Sequence, residues 1–215
     1  MNFDRIAPHY RWLEMLCAGP LLQRCRTAFL GEMQSPRHVL IVGEGNGRFL
    51  VDFLRAHPEA QVTCVEASAA MLRLARARLA ANGLDARRVE FLQANILACT
   101  LPHRRFDLLV THFFLDCFRA DQLAAIIARL AASAAPEARW LVADFREPAS
   151  GLAKWRARAV IQSLYFFFRR VARLSATHLT PPDALLARHG FILRERRTWD
   201  WGLLHSDLWG SYLTL

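Results

Sequence analysis

At 215 residues, 53% of them apolar and 22% charged, the chain is long enough to bury one α/β core and too apolar to stay unstructured. It contains no run of about 18 uncharged apolar residues, and its opening Met1-Asn-Phe-Asp-Arg5 is not a charged-then-apolar leader. The expectation is therefore one cytoplasmic domain without a membrane span. The net charge of +9 rests on 28 basic residues of which only Lys154 is lysine, and so uniform an arginine bias is no argument by itself for a nucleic-acid partner.

Residues 3–31 read as two helices broken at Gly19-Pro20, with apolar positions at Trp12, Leu13, Leu16, Leu21, Leu22 and Phe29. Lying ahead of the first strand, they form a cap over the core. Val39 to Val42 is a buried strand, followed by a glycine turn and a helix over residues 48–56 that His57-Pro58 ends. Residues 61–65 form a second strand running into Glu66. Ser68 caps a long helix that stops at Asn82-Gly83. Residues 89–92 and 106–110 are the third and fourth strands, the latter running into Thr111-His-Phe-Phe-Leu-Asp116. A helix over 120–132 leads to a fifth strand over 140–145. Thr180 and the pair Pro181-Pro182 open a short helix to His189, and residues 191–199 and 203–213 are two strands separated by Asp200-Trp-Gly202. Five strand–helix units and a closing strand pair make a doubly wound, mostly parallel sheet with an antiparallel edge. The expected divisions are a helical cap (1–35), a ligand-binding core (36–147), a basic aromatic lid (148–180) and a C-terminal helix and strand pair (181–215).

Cys17, Cys25, Cys64, Cys99 and Cys117 show no C-x-x-C pairing and sit mostly in apolar segments, so neither disulfides nor a metal site is expected.

The turn Gly43-Glu-Gly-Asn-Gly47 carries the first functional signal. Glycines there exclude Cβ atoms where backbone must approach a ligand between a strand and a helix. The third glycine comes one residue earlier than in the dinucleotide pattern G-x-G-x-x-G, and Glu44 places a carboxylate that would repel a diphosphate and suit a cationic ligand. Glu66, about 20 positions on, stands where a carboxylate at a strand tip accepts from both ribose hydroxyls.

With these residues the sequence resembles the class I S-adenosylmethionine-dependent methyltransferases over nearly its whole length. The matching stretches are Val39 through Gly47, Val65-Glu66 and Ser68-Ala-Ala-Met-Leu72. The opening Phe3-Asp-Arg-Ile-Ala-Pro-His-Tyr10, and Asp144-Phe-Arg-Glu-Pro148 followed by Tyr165-Phe-Phe-Phe-Arg-Arg170, are similar to the ubiquinone/menaquinone-biosynthesis type. The resemblance implies a Rossmann-like seven-stranded sheet with one antiparallel strand near the C-terminus. It also implies S-adenosyl-L-methionine held by Gly43, Glu44, Gly45, Gly47, Glu66, Ala67, Met71, Asn95, Ile96 and Thr111. Where the family commonly has Asp for the adenine amine this chain has Asn95, whose amide oxygen can still accept.

Methyl transfer from a sulfonium is an in-line displacement that needs alignment and water exclusion more than a catalytic triad. His112 and Asp116, after the fourth strand, are the candidates for deprotonating the acceptor; the structural alternatives are a ring stacked beside the cofactor and a cap for the helix near Arg119. His9, Tyr10 and Tyr165 are the candidates for lining an acceptor pocket. Residues 149–178 carry Lys154, Arg156, Arg158, Arg169, Arg170 and Arg173 with no acid. On a helical wheel Val160, Ile161, Leu164, Phe167, Phe168 and Val171 gather on one side, and Arg158, Arg169, Arg170 and Arg173 lie opposite with Trp155, Tyr165 and Phe166. Such a face suits anionic lipid headgroups or a greasy acceptor, or is a lid helix with its arginines in water. The expected partner is a small hydrophobic, aromatic or lipid-like acceptor. The competing readings are a non-catalytic cofactor-binding or partner-binding protein, and a nucleotide-dependent oxidoreductase.

Overall fold

A computed structural model of the chain describes residues 19–171, 174 and 176–212. Seven strands, β1 (His38–Val42), β2 (Gln61–Glu66), β3 (Val89–Gln93), β4 (Phe106–His112), β5 (Ala134–Phe145), β6 (Phe191–Trp199) and β7 (Leu204–Ser211), form one sheet in the order β3-β2-β1-β4-β5-β7-β6. All neighbours pair in parallel except β7, which runs antiparallel to both β5 and β6. The helices are α1 (Gly19–Arg26), α2 (Arg48–Ala56), α3 (Ala69–Ala81), α4 (Ala120–Ser133), α5 (Gly151–Val171) and α6 (Asp183–Arg188). This is the Rossmann-like seven-stranded sheet with an antiparallel strand near the C-terminus that the resemblance implies.

Alternation along β1 explains the two layers. Val39 and Ile41 face one side, where they meet Leu50, Phe53 and Leu54 of α2 and Leu72 and Leu79 of α3. Leu40 and Val42 face the other, packing with Trp140 of β5 and Leu123, Ile126 and Leu130 of α4. A third cluster joins Ala143 at the end of β5 to Ala157, Ile161 and Tyr165 of α5 and to Cys25 of α1, closing the C-terminal end of the sheet. Strand order reverses between β1 and β4, so their C-terminal ends open a crevice where this class of sheet takes its ligands.

Three local expectations are corrected. Strand β5 begins at Ala134, six residues before the expected 140, because its first residue pairs with Phe106 ahead of an irregularity in the β4–β5 register. Thr180 caps no helix: Pro182 stands at the start of α6, no side chain caps it, and Thr180 Oγ1 is buried without a hydrogen-bond partner. On α5 the buried stripe is Ala157, Ile161 and Tyr165, leaving Phe167 and Val171 exposed. The helix had two apolar stripes to choose from, and the one containing small Ala157 fits closest to Ala143.

Candidate functional site

The turn after β1 takes its shape from glycines at positive φ. Gly43 (72°), Gly45 (68°) and Gly47 (81°) all lie in the left-handed region. A Cβ on Gly43 would clash with the Phe114 ring, and one on Gly47 would stand 2.8 Å from the Ala75 Cα. Gly47 is thus committed to helix packing, whereas Gly43 and Gly45 border the crevice. Glu66, at the tip of β2, braces the turn: its Oε2 accepts from the Gly45 N–H at 3.2 Å and its Oε1 from the Ser68 N–H at 2.9 Å. Ser68 in turn caps α3 through the Met71 N–H.

Around this turn lies a cavity of about 540 Å³, a size suited to a small-molecule ligand. Its lining combines polar groups, at the glycine turn, Glu66, Gln93 and Asn95, with the aromatic rings of Phe113, Phe114 and Phe118, and Phe114 packs against Gly43 itself. Of the expected cofactor residues, Gly43, Gly45, Glu66, Ala67, Met71, Asn95 and Ile96 border it. Asn95 is exposed, and its Oδ1 accepts from the Leu97 N–H at 3.1 Å.

Glu44, Gly47 and Thr111 are placed elsewhere. Glu44 turns inward, and its Oε1 accepts from the Leu50 N–H at 3.0 Å, serving a donor of the first turn of α2. Burial pushes its carboxyl up to about 7. Thr111 is buried, its Oγ1 accepting from Trp140 Nε1 at 2.9 Å.

Neither proton-transfer candidate borders the cavity. The His112 ring is buried edge-on against Phe49, with centroids 4.5 Å apart, and neither ring nitrogen has a hydrogen-bond partner. Burial, aided by the nearby Arg26 charge, lowers its pKa to about 3, so it stays neutral. Asp116 is buried beside Asp144: the Asp116 N–H donates to Asp144 Oδ2 at 3.1 Å, and Cys117 Sγ lies 3.3 Å from Asp116 Oδ1. Burial raises both carboxyls; the Asp116 charge raises Asp144 further, whereas hydrogen bonds from Cys117 and Asp144 hold Asp116 down. Asp116 does not cap α4; the Arg119 N–H meets the Gln122 side chain instead. Tyr165, expected on the arginine face, is buried, and its hydroxyl donates to the Asp116 carbonyl at 2.9 Å, tying α5 to the loop after β4. His9 and Tyr10 lie outside the described residues.

Sequence reasoning missed the aromatic part of the lining. Phe113 has φ of 52°, a strained conformation for a bulky residue that persists because its N–H donates to the Ala143 carbonyl at 2.6 Å. The available signal was the Phe113-Phe114 pair in a loop at the C-terminal end of a central strand. Asp144 was also missed; it is the penultimate residue of β5, and only the fold brings it to Asp116.

The cavity fits the methyl donor implied by the resemblance: backbone approachable at two glycines, a carboxylate at the second strand tip, an amide beyond the third, and an apolar side toward β4. Comparisons with known proteins agree. Residues 39–137 match the family model described as "Methyltransferase domain". The demethylmenaquinone methyltransferase of Thermus thermophilus is 30% identical over 166 residues, covering 76% of this chain and 71% of that protein. The ubiquinone/menaquinone biosynthesis C-methyltransferase UbiE of Syntrophotalea carbinolica is 27% identical over 219 residues, covering 99% and 90%. Among solved structures, the mitomycin 7-O-methyltransferase MmcR superposes with a TM-score of 0.70 at 18% identity, covering 98% of this chain, which spans only 61% of MmcR. The 1,6-didemethyltoxoflavin-N1-methyltransferase of Burkholderia thailandensis, solved with 1,6-didemethyltoxoflavin and S-adenosylhomocysteine, gives 0.60 at 20% identity, covering 89% and 76%. At such identities the structures speak for the fold.

Proposed function

The chain belongs to the class I S-adenosylmethionine-dependent methyltransferases, and from that premise we propose that its acceptor is a small hydrophobic, aromatic or lipid-like molecule lying under the α5 helix. A demethylated quinone ring, like the one in the name of the Thermus protein, has the right chemistry. The observation that supports this most is that one cavity is lined both by Glu66 and Asn95 and by Phe113, Phe114 and Phe118. The polar groups suit a nucleoside and an amino acid, and the rings suit a flat apolar acceptor.

Bound S-adenosylmethionine supplies an electrophilic methyl group on a sulfonium. This chain's residues do the positioning. Glu66, held in place by the Gly45 and Ser68 amides, would accept from the ribose hydroxyls. The phenylalanines exclude water and hold the acceptor ring. Tyr165, through the Asp116 carbonyl, keeps α5 closed over the end of the sheet. His112, with its pKa near 3, is a weak base. The Asp116–Asp144 pair, whose carboxyls burial raises, is the stronger proton acceptor, and Cys117, in contact with Asp116, borders the cavity.

The test is transfer of a labelled methyl group from S-adenosylmethionine to a panel of demethylated quinols, simple phenols, aliphatic amines and RNA. Turnover confined to the apolar aromatic acceptors is expected. Turnover on amines or RNA alone refutes the reading, and donor binding without turnover on any acceptor supports the non-catalytic alternative.

A further inference from the structure

The longest helix, α5, has an outer face that the mechanism does not use. Six of the eight large apolar side chains exposed among the described residues sit on it or on the adjoining turn after β6: Leu152, Trp155, Phe166, Phe167, Val171 and Trp201. At about 100° per residue, Leu152, Trp155, Phe166 and Arg170 fall within about 60° of one another, nearly opposite the buried Ala157, Ile161 and Tyr165. They mark a line about 27 Å long, from 18 residues at 1.5 Å each. Trp155 is 68% and Phe166 64% exposed.

Cations run along the same helix. It carries Lys154, Arg156, Arg158, Arg169 and Arg170 and no acid. Arg170 stacks over the Phe166 ring at 4.8 Å. Arg156 lies over the Trp201 ring at 5.8 Å and pairs with Asp200 at 2.9 Å, which joins the turn to the helix and neutralises the acid beside the patch. No described helix is long and apolar enough to cross a membrane.

We infer that this face rests on a membrane surface rich in anionic phospholipid, with Trp155, Phe166 and Trp201 entering the headgroup boundary and Arg169 and Arg170 contacting phosphates. The helix carries no acid and the chain as a whole is at +9, so a second copy would meet this face with like charge, whereas an anionic surface meets it with opposite charge. A headgroup layer accepts both residue types at once, and tryptophan favours that depth. The inference holds whichever acceptor is methylated.

The experiment is co-sedimentation of the full chain with phosphatidylcholine vesicles and with vesicles containing 30% phosphatidylglycerol, alongside light scattering of the free protein. Expected are at least tenfold stronger partitioning to the anionic vesicles, loss of most of it in high salt, and a blue shift of tryptophan emission. Arg169→Gln with Arg170→Gln should weaken partitioning about 25-fold, at about 1 kcal/mol or fivefold per arginine. Trp155→Ala with Phe166→Ala should weaken it at least tenfold, with S-adenosylhomocysteine binding unchanged in both variants. Equal partitioning to both vesicle types, or none, overturns the inference. So does a dimer that the Trp155/Phe166 variant dissociates without any vesicle binding, because the face would then meet a second copy of the chain.

Discussion

His112 offers a test of the electrostatics of the closed site. Its ring is buried without a partner for either nitrogen, and its pKa falls from 6.5 to about 3. In the unfolded chain the same imidazole protonates below about 6.5. Its neutral burial therefore contributes stability that is fully present above that pH and is lost as pH falls toward 3. At 1.36 kcal/mol per pH unit, acidification from pH 8 to pH 5 removes about 2 kcal/mol through this group alone. His112→Phe keeps the ring contact with Phe49 and removes both the titration and two unsatisfied nitrogens. Urea unfolding of both proteins at pH 8 and pH 5 measures the difference, in which every other titrating group cancels. The variant should be at least as stable at pH 8 and should lose about 2 kcal/mol less on acidification. Parallel losses in the two proteins would show that His112 gains a partner or a proton in the folded state, and the reasoning fails.

Two further substitutions probe the turn. Glu44 titrates in the opposite sense: burial raises its folded pKa to about 7, so its contribution is greatest in acid and is lost as pH rises from about 4.5 to 7. Glu44→Gln, which still accepts from Leu50, should raise the unfolding midpoint at pH 8 and leave it unchanged at pH 4; about 3 kcal/mol is the upper bound for this partly exposed residue. Gly47→Ala places a Cβ 2.8 Å from the Ala75 backbone at a φ of 81°, and thermal unfolding should show a loss of about 2 kcal/mol or more.

Much of this arrangement was legible in the sequence because the signals were local. Alternation in β1, the glycines after it, Ser68 as a cap and Glu66 at a strand tip each depend on a few neighbouring residues. What could not be read depends on direction and distant packing. Glu44 follows a positive-φ glycine, and only the built turn shows its carboxylate aimed at α2 rather than at a ligand. Tyr165 shares a helix with two apolar stripes, and its burial is decided by Ala143 and Asp116 on other elements. The approach of Phe114 to Gly43 joins two loops 71 positions apart, counting from 43 to 114.

The central claim is that the cavity at the ends of β1 to β4 holds the methyl donor, with Glu66 as its ribose contact. Titration calorimetry of S-adenosylhomocysteine into the wild-type chain and into Glu66→Ala addresses it most directly. The account predicts one-site binding to the wild type and at least tenfold weaker binding to the variant, since a hydrogen bond to a charged group contributes about 1.5–3 kcal/mol. No heat with the wild type, or the same affinity in both, would contradict it.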